Sequence, residues 1–162
     1  TVDIALNNNE PKKLPDVILN IDALIPHHYI KTPSQRLGFY DRLSRCGDIE
    51  GLDRVRVELR DRFGEPPKET ENLINLAHIR ILFKNTSINR IEIGHDISIF
   101  EFDDIKPFKS IESLIFQVSD WASINKLRFN FGKTTAQNLL FTFHYKSYKS
   151  GFSAICGFAK LF

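Results

Sequence analysis

The fold is decided by residues 32–84, which read TPSQRLGFYDRLSRCGDIEGLDRVRVELRDRFGEPPKETENLINLAHIRILFK. Gly47 and Gly64 divide this stretch, and each segment between them repeats its apolar residues with a helical period. The pattern predicts three consecutive helices that pack as a small antiparallel bundle.

The first helix is expected to run from Thr32 to about Cys46, where Gly47 stops it. Thr32 can cap the helix, Pro33 suits its first position, and Gln35 can complete a capping box. The apolar residues at helical spacing, which should face the core, are Leu37, Tyr40 and Leu43.

The second helix is expected to begin after the capping residue Asp48 and to end at Gly64. Its apolar stripe consists of Leu52, Val55, Leu59 and Phe63. Because Phe63 closes that stripe, it is expected to be a buried anchor. Charged residues four positions apart predict three surface ion pairs: Glu50 with Arg54, Arg54 with Glu58, and Glu58 with Arg62.

Two further elements complete the N-terminal half. A turn at Pro66 and Pro67 precedes a third helix over residues 68–84, whose apolar face contains Leu73, Leu76 and Ala77. Residues 16–22 alternate as a strand that ends before Pro26. Residues 1–13 contain three consecutive Asn and a Pro-Lys-Lys run, and they are expected to be a linker or arm, which leaves residues 14–162 as a single domain.

From Ser87 onward the apolar period changes from helical to two. Residues 88–93 and 97–102 flank a Gly-His-Asp turn and predict a hairpin, and residues 127–131 and 139–145 predict two more strands. A helix from Ser110 to about Trp121 and a terminal helix from about Lys149 are expected to pack on them. The predicted fold class is α+β: an N-terminal strand and three-helix bundle, followed by a mostly antiparallel sheet with packed helices.

Composition is that of an ordinary globular domain, with 42% hydrophobic and 26% charged residues. No secretory signal and no apolar run of about 20 residues is present, so we expect no membrane association. The two cysteines have no CxxC neighbour, which favours a reducing, cytoplasmic setting. The absence of Met suggests either a fragment of a longer protein or a sequence in which modified methionines are missing.

Catalytic, cofactor and metal sites are not predicted. Residues 131–135, FGKTT, end like a phosphate-binding loop, but Leu127 stands where that motif requires glycine, so a turn is favoured. His27 and His28 are adjacent and diverge, which favours a loop pair over a metal site. No GxSxG or equivalent nucleophile motif occurs.

Charge is distributed unevenly along the chain. Residues 121–162 contain six Lys or Arg and no Asp or Glu, whereas residues 1–120 have a net charge of −4. Aromatic residues alternate with these bases, as on a platform that stacks nucleic-acid bases. The aromatic residues concerned are Phe129, Phe131, Phe141, Phe143 and Tyr145. The same alternation is typical of a half-buried strand, so we favour a core role and keep a nucleic-acid-binding module as the alternative.

Two runs carry a resemblance to a known family: LIPHHYIKTPSQRLGFYDRLSR at residues 24–45 and VELRDRFGEPPKETENLINLAHI at residues 57–79. Their most specific part is ELRDRFGEPP, in which charge, aromatic and glycine occur in fixed order across a helix end. These runs resemble the C-terminal domain of bacterial transcription-repair coupling factors. That resemblance covers about a third of the chain.

The resemblance implies a function that the residues alone do not reveal. In that family the whole protein is an ATP-driven DNA translocase that displaces stalled RNA polymerase and recruits the excision-repair protein UvrA. The C-terminal domain would be non-catalytic and would contact the UvrB-like module of the same protein, restraining both UvrA recruitment and the motor. The residues expected to form or support that contact are Arg36, Asp61 and Arg62.

Overall fold

The computed structural model describes residues 13–103 and 108–162. Most of the expected N-terminal arm, residues 1–12, lies outside them. The helices are α1 (Pro33–Arg45), α2 (Ile49–Phe63), α3 (Lys68–Leu82), α4 (Ile111–Ile124) and α5 (Tyr148–Phe158), which continues into a 3₁₀ turn. The strands are β1 (Asp16–Leu19), β2 (Ile88–Ile93), β3 (Ile97–Phe102), β4 (Arg128–Lys133) and β5 (Leu139–His144).

The five strands form one mixed sheet in the order β1-β2-β3-β5-β4. β1 runs parallel to β2, and the other neighbours are antiparallel. α4 and α5 cover one face of the sheet, where buried side chains alternate with outward-facing ones as a period of two requires. The predicted α+β class and the hairpin at residues 88–102 are therefore confirmed.

α3 connects two separate hydrophobic cores. Ile74 and Ala77 pack with α1 and α2, whereas Ile79, together with Phe83 just beyond the helix end, packs with the sheet, α4 and α5. Of the predicted apolar face, Ala77 is buried, whereas Leu73 and Leu76 are half-buried. A helix that is buried on two sides lacks a single apolar stripe, so this prediction missed Ile74 and Ile79. The position of α3 holds the helical half against the sheet.

The first helix differs from the sequence prediction in the residues that it buries. Leu37 is 70% exposed, so its placement in the core was wrong, and Phe39 is buried at 3% exposure instead. Phe39 and Leu43 form the buried i,i+4 pair of α1. The expected capping box is also absent: the side chain of Thr32 makes no capping hydrogen bond.

Most other boundaries lie within a few residues of those predicted. β1 ends at Leu19 rather than Asp22, although the Asn20 amide still donates to the Ile93 carbonyl at 2.8 Å. The caps at Asp48 and Ser110 form as predicted, since each side chain accepts from an amide in the first turn. α4 continues past Trp121 to Ile124.

Candidate functional site

The three residues singled out by sequence lie on the helical half, in two different settings. Asp61 and Arg62 are exposed at the C-terminal end of α2. Arg36 is half-buried in the first turn of α1, where its Nη1 donates to the Ile30 carbonyl at 2.6 Å and to the Lys31 carbonyl at 3.1 Å. Arg36 therefore ties the preceding loop to the helix, in place of the absent capping box.

Glu58 of α2 binds two arginines, and one of them, Arg42, joins α2 to α1. Its carboxylate accepts from Arg42 of α1 at 2.6 Å and from Arg62 of α2 at 2.7 Å. These two hydrogen bonds lower the pKa of Glu58 to about 2 because they stabilise the ionised carboxylate. Of the three predicted i,i+4 pairs, only Glu58 with Arg62 forms among the described residues.

The same two arginines also lie over aromatic rings. The Arg62 guanidinium is 5.0 Å from the ring centre of Phe63 and 5.5 Å from that of Phe39, and Arg42 is 5.1 Å from the Phe39 ring. These distances are within the range of cation–π attraction. Arg62 is therefore held by an ion pair and by two rings, so its exposed surface has a defined position.

Tyr29 anchors the loop before α1 to the end of α2. Its hydroxyl donates to the Gly64 carbonyl at 2.8 Å and to the Leu59 carbonyl at 3.1 Å, and burial raises its pKa. Its ring meets Phe63 edge-on at 5.9 Å, and Phe63 in turn meets Phe39 at 5.8 Å. Phe63 is half-buried rather than buried as predicted. From the end of α2 it nevertheless contacts both the loop before α1, through Tyr29, and α1 itself, through Phe39.

The outward face of α2 forms a shallow surface depression that is open to solvent and has a volume of about 690 Å³. Val57, 52% exposed, lies at this surface among charged side chains. The charged residues that line it are Glu50, Asp53, Arg54, Glu58, Asp61 and Arg62. Asp61 has no ion pair within the described ranges. A mixed charged surface around an exposed apolar residue, on a rigid support, is suited to contact another protein.

The motif that resembles the end of a phosphate-binding loop lies in the sheet and the hairpin that follows. Gly132 and Lys133 were expected in a turn, but they belong to β4 and pair with Leu140 and Leu139 of β5. The chain then returns as a hairpin, whereas a phosphate-binding loop leads into a helix. The described residues contain no group of three or more His, Cys, Asp or Glu that could hold a metal ion. Nor does any helix described here have the length and apolar character to cross a bilayer.

The aromatic residues of the basic segment lie mainly in the core. Phe141, Phe143 and Tyr145 are buried at 0%, 2% and 8% exposure, and Phe129 is half-buried. Phe131 is the exception, since it is 59% exposed and does not belong to the core as predicted. The rings that would stack on nucleic-acid bases are therefore mostly covered.

Two residues of the candidate site had no role assigned from sequence. The partnership of Arg42 with Glu58 spans sixteen positions and two helices, so no local period could indicate it. The burial of Phe39 was missed because Leu37, Tyr40 and Leu43 form an alternative stripe centred on a different face of the helix. The available signal was the four-residue spacing from Phe39 to Leu43.

Comparison with known proteins identifies a family model and several relatives that match this chain. A family model described as the TRCF domain matches residues 19–112. The chain is 30% identical over 126 residues to the transcription-repair-coupling factor of Haemophilus influenzae, and the match covers 76% of this chain and 11% of that protein. It is 35% identical over 94 residues to the one from Myxococcus xanthus, covering 56% of this chain and 8% of that protein.

A solved structure shows the same fold. The crystal structure of the C-terminal domain of a transcription-repair coupling factor superposes with a TM-score of 0.75 at 18% identity, covering 92% of this chain and 91% of that one. The chain spans about a tenth of the length of the two curated relatives described above.

Proposed function

The chain belongs to the family of the TRCF domain, and we propose that it is a non-catalytic regulatory domain of a transcription-repair coupling factor. In this proposal residues 14–162 are one domain of a longer, cytoplasmic protein that acts in transcription-coupled nucleotide-excision repair. RNA polymerase, DNA and ATP are bound by other parts of that protein. This domain restrains it through an intramolecular contact with the UvrB-like module.

The observation that carries this proposal is the supported surface of α2. Glu58, Arg42 and Arg62 fix the helix ends that present Val57 and Asp61 to solvent. That surface lies inside the stretch matched by the family model, residues 19–112. A charged surface that is rigid before binding loses little conformational entropy when a partner covers it.

Covering the UvrB-like module would hide the surface that UvrA needs. Because both partners are in one chain, their effective concentration reaches around millimolar, so a weak interface suffices to hold the closed state. Engagement of RNA polymerase would then shift the equilibrium between closed and open forms. The domain thus needs no active site in order to control the motor.

The decisive experiment uses the full-length factor with and without this domain. Deletion is expected to increase UvrA binding and to release ATP hydrolysis that does not require RNA polymerase. Titration of the isolated domain against the UvrB-like module should show direct binding. Equal UvrA affinity and equal polymerase-independent ATP hydrolysis in both proteins would contradict the proposal.

A further inference from the structure

The strand β4 forms one edge of the sheet. It pairs with β5 on one side, and among the described residues no strand lies on the other. Five of its six residues are exposed, and only Phe129 is half-buried. Such an edge offers backbone donors and acceptors to any extended chain that reaches it.

The hairpin identifies which backbone groups face outward. The Thr134 amide donates to the Asn138 carbonyl at 2.9 Å, so the backbone N–H of Thr134 points across the hairpin toward the β5 side. Hydrogen-bonded pairs recur at every second position of an antiparallel ladder. The register therefore directs the backbone groups of Asn130 and Gly132 toward β5, and those of Phe129, Phe131 and Lys133 toward the open edge.

Side chains along this edge favour one kind of partner. Phe131 is 59% exposed and provides an apolar contact point next to the outward backbone groups. Lys126, Arg128 and Lys133 add positive charge, and no acidic residue occurs anywhere in residues 121–162. Positive charges on an edge strand repel a second copy of the same edge, but they attract a strand of opposite charge.

We propose that β4 binds an extended acidic segment of a protein partner, which adds to the sheet as a sixth strand. Main-chain hydrogen bonds to Phe129, Phe131 and Lys133 would supply the pairing. An apolar residue of the segment would cover Phe131 on the core face of the sheet. The carboxylates on either side of it would lie on the opposite face, next to Arg128. This surface belongs to the sheet half and is separate from the α2 surface.

The test uses the whole chain and a dye-labelled peptide of sequence EVEIEVE with blocked ends, followed by fluorescence anisotropy. A KVKIKVK peptide is its charge-reversed control. Binding of the acidic peptide should be at least about tenfold tighter than that of the basic one. Equal affinity for the two peptides, or no binding of the acidic one, would overturn the proposal.

Variants of β4 separate backbone pairing from simple charge attraction. Phe131→Pro removes one outward amide without removing a bond to β5, so the sheet is expected to persist. It should weaken acidic-peptide binding by about tenfold. Arg128→Glu should also weaken it, whereas Phe116→Ala and Lys149→Glu, which change exposed residues on α4 and α5, should not. Unchanged affinity in both β4 variants would exclude strand addition.

Amide hydrogen exchange locates the bound strand. Saturation with the acidic peptide should slow exchange at Phe129, Phe131 and Lys133 and leave Asn130 and Gly132 unchanged, because only the former point to the open edge. Two results would replace the proposal with another: a thymidine oligonucleotide that binds more tightly than the acidic peptide, or a dimer in sedimentation that Phe131→Pro abolishes.

Discussion

The ring of Tyr145 fills the space that a side chain on Gly151 would occupy, because a Cβ built on Gly151 would stand 2.4 Å from two ring carbons. The Tyr145 hydroxyl donates to the carbonyls of Gly94 and Ile97, at 2.8 and 2.7 Å, across the β2–β3 turn. This contact joins the start of α5 to the hairpin. Glycine is required at position 151 for close approach and not for backbone conformation.

Gly151→Ala is therefore expected to destabilise the domain by about 1–3 kcal/mol, since either the ring or the helix must shift. Gly157→Ala in the same helix is the matched control, because its added Cβ would meet Trp121 at an ordinary 3.9 Å. The control should be neutral or slightly stabilising, as alanine favours helix. Urea unfolding of the two variants checks the difference, and equal stabilities would contradict the close contact.

Phe63→Ala should cost about 2 kcal/mol, less than the 3–5 kcal/mol typical of a fully buried phenylalanine. Phe63 is half-buried, but its ring touches Tyr29 and Phe39 and lies under Arg62. Leu37→Ala, at a residue that is 70% exposed, should change the unfolding free energy by at most about 0.5 kcal/mol. If Leu37→Ala proved the more costly of the two, the observed packing of α1 would be wrong.

Leu37 and Phe39 show how far the sequence predicts the fold. Helical and strand periods located nearly every element, because most elements have one clear apolar face. Periodicity failed where two faces compete: α1 has apolar residues at 37, 39, 40 and 43, and only tertiary contact selects Phe39 over Leu37. It failed again in α3, which is buried on two sides.

The stability contributed by Glu58 should depend on pH. Its pKa in the folded protein is about 2, below the ordinary value of 4.5, so the stabilisation is complete above about pH 4.5 and is lost as the pH falls toward 2. Glu58→Gln should cost about 1 kcal/mol or less at pH 7, because the pair is partly exposed, and the cost should shrink at pH 3.

Denaturant unfolding of both proteins at pH 7 and pH 3 measures this effect. Glu50→Gln is the control, since Glu50 has no basic partner within 4 Å in the part of the chain described. Its effect should be small and similar at both pH values. A Glu58→Gln cost that stays constant from pH 7 to pH 3 would show that the two arginines do not hold the carboxylate.

The candidate site was predictable only in part. Sequence resemblance selected Arg36, Asp61 and Arg62, but it did not distinguish residues that support the surface from residues that are available to a partner. The structure makes that distinction. Arg36 is bonded to the carbonyls of Ile30 and Lys31, and Arg62 is held by Glu58 and two rings, so only Asp61 is without such a structural partner among the described residues.

Asp61→Arg is therefore the variant that best tests the proposed contact. It should weaken binding to the UvrB-like module by about tenfold, since reversal of a contact charge turns attraction into repulsion. Thermal stability should be unchanged, because an exposed carboxylate with no ion pair contributes little to folding. In the full-length factor the same variant should raise UvrA binding part of the way toward the deletion.

Arg62→Glu provides the contrast that separates binding from folding. It removes the ion pair with Glu58 and the stacking on Phe39 and Phe63, so it should lower thermal stability as well as any binding. Asp53→Arg, on the same outward face of α2, tests whether the effect is local. If Asp61→Arg and Asp53→Arg weaken binding to the UvrB-like module equally, long-range charge accounts for the effect. If neither variant changes that affinity, the contact lies on another surface of the domain.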